Sequence, residues 1–227
     1  MPSTDKTIVA DGPLSKQIAV IVCSQRTPRV GLQIGTFVFD TLKQYHSSHP
    51  FPVPYELVLV DMLDHPLPMF DEPGIPSQIR SSSDYAHAHT RAWSELISSF
   101  GGFVFVTPQY NWGYPASIKN AIDYLYHEWA GKPAMVVSYG GHGGGKAAAQ
   151  LKQVLQGVRM MVVPDHVELA FPNREVLVRA TTGADLELNG ADEGRSEGTI
   201  WVNEKQEVTK IFAELLVLLA GTDAQRC

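Results

Sequence analysis

Five short apolar runs punctuate the chain, at Ile18 to Cys23, Tyr55 to Val60, Phe103 to Val106, Ala134 to Ser138 and Met160 to Val163, each bounded by polar residues or by proline and glycine. They are rich in valine and isoleucine and too short for helices, which is how strands buried on both faces of a parallel sheet read. Between them, Gly31 to Tyr45, Ser83 to Phe100, Ala116 to Tyr126 and Lys146 to Leu155 repeat apolar residues at intervals of three and four. That spacing predicts amphipathic helices, and a last helix is expected from about Glu204 to Leu219. Strands and helices in alternation, joined by right-handed crossovers, give an α/β fold: a doubly wound five-stranded parallel sheet with helices on both faces. Ligands of such sheets sit beyond the carboxyl ends of the strands.

That rule directs attention to the segments after the first, third and fourth strands, which read CSQRTPRVG, TPQYNWGYPAS and SYGGHGGGKA. From Asp165 to Asn203 the pattern dissolves into turn signals, Pro172-Asn173, Thr182-Gly183, Asn189-Gly190 and Glu193-Gly194. The expectation there is a loop-rich excursion over 171–203 with room for one hairpin. Residues 1–16 are polar, with proline, aspartate and glycine, and read as a flexible tail before a single domain over 17–222.

Composition narrows the function classes. A chain of 227 residues, 44% of them hydrophobic, builds one sizeable core. The net charge of -6 is spread along it with no block of lysine or arginine to neutralise a row of phosphates, which argues against a nucleic-acid partner. No apolar leader opens the sequence, and the run from Ile211 to Ala220, interrupted by Glu214, falls short of the roughly 20 residues that span a bilayer. Cys23 and Cys227 form no C-x-x-C pair and no disulfide framework. A cytoplasmic protein without a membrane partner is expected.

Each loop has its own chemistry. Ser24, Arg26, Thr27 and Arg29 precede a helix whose first turn offers unpaired N–H groups, the outline of a phosphate site, although Ser and Thr are also ordinary helix caps. Pro108, Gln109, Tyr110, Asn111 and Trp112, followed by Gly113, Tyr114 and Pro115, set three aromatic residues and two amides between a strand and a helix. So much aromatic surface in a loop calls for a planar ligand, a partner or neighbouring elements to cover it. Tyr139, Gly140, Gly141, His142, Gly143, Gly144 and Gly145 supply a glycine-rich turn that lets the backbone approach a ligand closely. Gly140 to Lys146 spells the first part of a P-loop, but Ala147 stands where the Mg²⁺-binding hydroxyl belongs, and Lys146 breaks G-x-G-x-x-G. His87 and His89, two apart on the expected helix, point to different faces, and His127-Glu128 is followed by Gly131 where a second histidine would stand, so no metal site is read.

Taken together, the three loops resemble the NADPH-dependent FMN reductase family of flavodoxin-like quinone and azo reductases, its fungal branch above all. The resemblance runs from about Ile18 to Val163 and is most specific in VTPQYNWGYPASIKNAIDYLYHEWAGKPAMVVSYGGHGG; Cys23 stands where family members commonly carry glycine. It implies FMN as cofactor and NAD(P)H as reductant, with Ser24 and Arg26 at the FMN phosphate beside Thr27 and Arg29. Pro108 to Trp112 then line the isoalloxazine, and Tyr139 to Gly144 flank its pyrimidine side. It further implies hydride transfer carried by the flavin with no catalytic side chain, ping-pong kinetics, a quinone or azo compound as small-molecule acceptor, and a homodimer. The aromatic loop and Pro66 to Phe70 are the candidate partner surfaces. The other class of function compatible with these residues is a flavodoxin-like electron carrier or redox-dependent interaction module.

Overall fold

The computed structural model describes residues 16–188 and 200–224. The tail up to residue 15, the turn signals at Asn189-Gly190 and Glu193-Gly194, and Cys227 lie outside the described residues. Among the described residues six strands form the sheet: β1 (Lys16–Val22), β2 (Tyr55–Asp61), β3 (Phe100–Pro108), β4 (Pro133–Gly140), β5 (Met161–Val162) and β6 (Val167–Ala170). All pairings are parallel, in the order β2-β1-β3-β4-β5, with β6 also on β4. This 2-1-3-4-5 order is that of flavodoxin-like sheets, whose direction of winding reverses between β1 and β3.

Period-two alternation along the strands sorts the core into two halves. Ile18 and Val20 of β1, Val104 and Val106 of β3, and Met135, Val137 and Tyr139 of β4 face one side, where α1 (Gly31–Ser48) and α6 (Val202–Ala224) pack through Ile34, Phe37, Phe212 and Leu215. Ala19 and Ile21, Phe103 and Phe105, and Ala134 and Val136 face the other. There α2 (Ala88–Ser99), α3 (Ala116–Asp123) and α4 (Gly145–Gly157) cover them with Trp93, Ile118, Ile122 and Leu151. With both faces of β1, β3 and β4 covered, their continuous valine and isoleucine runs follow.

The fifth sheet position is one strand in two pieces. Residues 161–162 pair with Pro133 and Ala134, residues 167–170 with Val137 to Gly140, and Pro164 lies between them. Proline has no N–H to offer the ladder, so the strand breaks there and resumes.

Two expectations need correcting. In the described part of the 165–203 stretch, β6 and a helix α5 (Arg174–Thr182) stand in place of a hairpin. The Asn173 side chain accepts from the Val176 N–H at 2.9 Å, and Gly183 ends the helix at φ +74°. Pro-Asn and Thr-Gly, read as loop signals, are therefore the caps of a helix. The helix expected from Ser83 begins only at Ala88, because Glu72, reaching in from a distant loop, accepts from the Ala86 N–H at 2.5 Å and the Thr90 hydroxyl at 2.8 Å. His87 thus precedes the helix, and its ring stacks on His89 at 5.1 Å, both against Asp71, instead of pointing away from it. Among the described residues no three His, Cys, Asp or Glu side chains converge as metal ligands, and no helix is long and apolar enough to cross a membrane.

Candidate active site at the carboxyl edge of the sheet

Beyond the last residues of β1 and β2 the first loop is locked by charge. Arg29 donates to both carboxylate oxygens of Asp61, at 2.9 and 2.5 Å, and to the Ser24 carbonyl at 2.7 Å. Burial alone would raise the Asp61 pKa, but the Arg29 hydrogen bonds, the Leu63 N–H and the charges of Arg29 and His65 outweigh it and hold the carboxyl below its ordinary value. Ser24 is fully buried, and its hydroxyl hydrogen-bonds Tyr139. A Cβ on Gly31 would lie 1.8 Å from the Ser24 Oγ, so only glycine lets α1 start this close to the loop. The start of α1 carries no side-chain cap and no acidic residue in its first turn. Arg26 lies with its guanidinium carbon 3.8 Å from the centre of the Tyr110 ring, without a carboxylate partner among the described residues.

The second and third loops are knitted to each other. The Gln109 N–H donates to the Tyr139 carbonyl at 3.0 Å, extending the β3–β4 ladder, while the Gln109 Oε1 accepts from the Ala147 N–H at 3.2 Å and so caps α4. Tyr110 and Gly113 exchange backbone bonds across a tight reversal at Asn111 and Trp112, whose φ angles are 48° and 68°. Gly143 and Gly144 sit at φ +77° and +88°, and added Cβ atoms there would strike the Glu168 side chain and the Ser138–Tyr139 segment; their part is to turn the chain into α4.

Between the three loops lies a cavity of about 270 Å³. Of the residues singled out in the sequence, Arg26, Arg29, Pro108, Gln109, Tyr110, Tyr139, Gly140 and Gly141 line it. Ser24 lies beneath its wall, whereas Thr27, Asn111, Trp112, His142, Gly143 and Gly144 do not line it. Sequence reasoning missed Pro28 and Val30 in the first loop, Phe171 after β6, and Leu177, Ala180 and Thr181 of α5. The last three recur at helical spacing, so an i, i+3, i+4 pattern at Leu177 was the available signal. Burial raises the Tyr139 phenol well above its ordinary pKa against the opposing Ser24 hydrogen bond, and it raises Tyr110 against the charges of Arg26 and Arg29. Both phenols stay protonated at neutral pH.

Residues 17–173 match the family described as NADPH-dependent FMN reductase. The chain belongs to that family. Among its relatives, an NAD(P)H-dependent FMN reductase of Saccharomyces cerevisiae is 46% identical over 149 residues, 65% of this chain and 77% of the yeast protein. Another, from a Nectria species, is 36% identical over 206 residues, 89% of this chain and 96% of the relative. The flavoenzyme FerB of Paracoccus denitrificans, an NAD(P)H:(acceptor) oxidoreductase, shares the fold with a TM-score of 0.58 at 20% identity, over 91% of this chain and 98% of its own. As an FMN reductase the chain is an oxidoreductase that uses FMN with NAD(P)H as reductant.

The cavity suits that cofactor. Val30 before the uncapped start of α1 lines the cavity together with Arg26, which has no carboxylate partner among the described residues, an arrangement that suits a phosphate dianion. A lining that joins Tyr110 and Tyr139 with the glycines at 140 and 141 suits a flat ring.

Proposed function

We propose that the chain holds FMN in the carboxyl-edge cavity and passes reducing equivalents from NAD(P)H to quinone, azo or flavin-like acceptors, the two substrates taking turns in one place. The observation that carries this reading is the meeting, in a single cavity, of a phosphate-ready helix start and an aromatic and glycine slot. FMN, when bound there, would supply the two-electron chemistry that links reductant to acceptor. The protein's own task is to bind, orient and tune.

In this reading Arg26 and the first N–H groups of α1 hold the phosphate, with the Thr27 hydroxyl as a further donor. Ser24 and Arg29 fix the loop from below, through Tyr139 and Asp61. Pro108, Gln109 and Tyr110 would flank one side of the ring. Of the glycine turn, Tyr139, Gly140 and Gly141 line the cavity and would face the ring's polar edge, offering backbone N–H groups to it. The buried free thiol of Cys23 is in keeping with a cytoplasmic setting. A homodimer belongs to the same proposal, through the Pro66 to Phe70 segment: Met69 is 77% exposed and Phe70 40%, on a backbone pinned to Asn120 of α3 and to Tyr124 directly after it.

One shared cavity has a kinetic consequence. Initial rates against NAD(P)H at several fixed quinone concentrations are expected to give parallel double-reciprocal lines. Lines that intersect would remove the shared-cavity mechanism.

A further inference from the structure

Of the four tryptophans, Trp93, Trp129 and Trp201 are buried, whereas Trp112 is 58% exposed. It occupies the second position of the reversal between Tyr110 and Gly113 at φ 68°, a conformation costly for a bulky side chain and usually taken by glycine. Strain of this kind persists where the surroundings enforce it, and it clusters at functional positions. Here the Trp112 carbonyl accepts from Gln150 at 3.3 Å.

Two basic side chains gather on the indole. The His142 ring lies 6.2 Å away at an interplanar angle of 24°, and the Lys146 Nζ stands 4.8 Å from the ring centre. Lys146 has no carboxylate partner among the described residues. The carboxylate of Glu168 is turned to the backbone of Gly143 and Gly145 and hydrogen-bonds His166 at 3.2 Å. Trp112 follows the cavity-lining Tyr110 by two residues, and His142 follows the cavity-lining Gly141 directly, so the chain carries the cluster next to the cavity. Holding FMN does not require it, since the single phosphate of that cofactor has Arg26 and the start of α1.

An exposed indole flanked by an ammonium and an imidazole is the surface that recognises a purine carrying a phosphate: the base stacks, and the ammonium meets the anion. We infer that Trp112, His142 and Lys146 form the docking site for the adenosine end of the dinucleotide reductant, with Lys146 facing its 2′-phosphate, so that the chain selects NADPH over NADH. The inference rests on the reading that NAD(P)H enters this cavity. It extends that reading to the part of the reductant that takes no part in hydride transfer.

The test uses adenosine 2′,5′-bisphosphate and adenosine 5′-monophosphate as probes, titrated into FMN-loaded protein while tryptophan emission is recorded. Loading is checked first by the visible flavin band. Its absence would overturn the proposed function and leave the titration, run on the same chain, to decide the docking site. Wild type is expected to show saturable quenching and to bind the bisphosphate about tenfold more tightly than the monophosphate. Lys146→Gln, on an exposed helix position, should lose that preference, and Trp112→Leu should lose the quenching and weaken both probes by calorimetry. Equal binding of the two probes by wild type, a preference retained in Lys146→Gln, or quenching retained in Trp112→Leu would each overturn the inference. So would emission that ignores nucleotide but changes with protein concentration, which would mean that a second copy covers the indole.

Discussion

Asp61→Ala is expected to destabilise the protein by about 3–5 kcal/mol in urea unfolding followed by circular dichroism, because it leaves a mostly buried arginine without its counter-ion. The side chains of Arg29 and Asp61 are only 13% and 10% exposed, and their fork of two hydrogen bonds ties the end of β2 to the loop after β1. The same pair predicts a pH dependence. Because Arg29 holds the Asp61 carboxyl below its ordinary value of 3.8, the folded protein binds fewer protons there than the unfolded chain. Its contribution to stability is therefore fully present above about pH 4 and is lost as pH falls through the lower folded value. Wild type should shed this stability on acidification, whereas Asp61→Ala, already without it, should show a shallower acid limb. A loss below about 1 kcal/mol at neutral pH, the range of exposed ion pairs, would contradict the picture of a locked loop.

Arg26→Ala is expected to weaken FMN binding to the apoprotein by about one to two orders of magnitude, the loss of one charge-assisted contact of about 1.5–3 kcal/mol. Riboflavin, which has no phosphate, should bind almost as before. Arg26 is the uncommitted charge of this loop: it rests on the Tyr110 ring and has no carboxylate partner among the described residues. Arg29 differs, being committed to Asp61 and the Ser24 carbonyl, so Arg29→Ala should appear first as lost stability. Fluorescence titrations of both variants with both flavins separate the two roles. Unchanged FMN affinity in Arg26→Ala would remove this loop from the phosphate site.

The strands were legible because a short run of valine and isoleucine between polar stops has few other readings. β1 begins two residues before its apolar run, at Lys16, because the ladder with Tyr55 continues past the hydrophobic residues. The three loops were legible because the carboxyl-edge rule names the places and odd composition marks them. What stayed hidden depends on partners distant in sequence. Glu72 takes the place of a local cap at α2, and Asp61 claims one of two arginines that look alike in the sequence. Ser24 shows why a Ser before a helix is ambiguous: its hydroxyl turns inward to Tyr139. The dipeptides around α5 serve equally as turns or as caps, and Leu177, Ala180 and Thr181 have no chemical signature of a cavity wall.

The central claim is that this chain itself moves reducing equivalents from NAD(P)H into FMN bound at the carboxyl edge. Its most direct test is to load the protein with FMN, add NADPH or NADH without oxygen and without any partner reductase, and record the visible flavin band. Bleaching of the band, followed by its return when a quinone is added, is the predicted result. A band that survives the reductant, yet is bleached once a separate reductase is supplied, would contradict the account and identify the chain as an electron carrier.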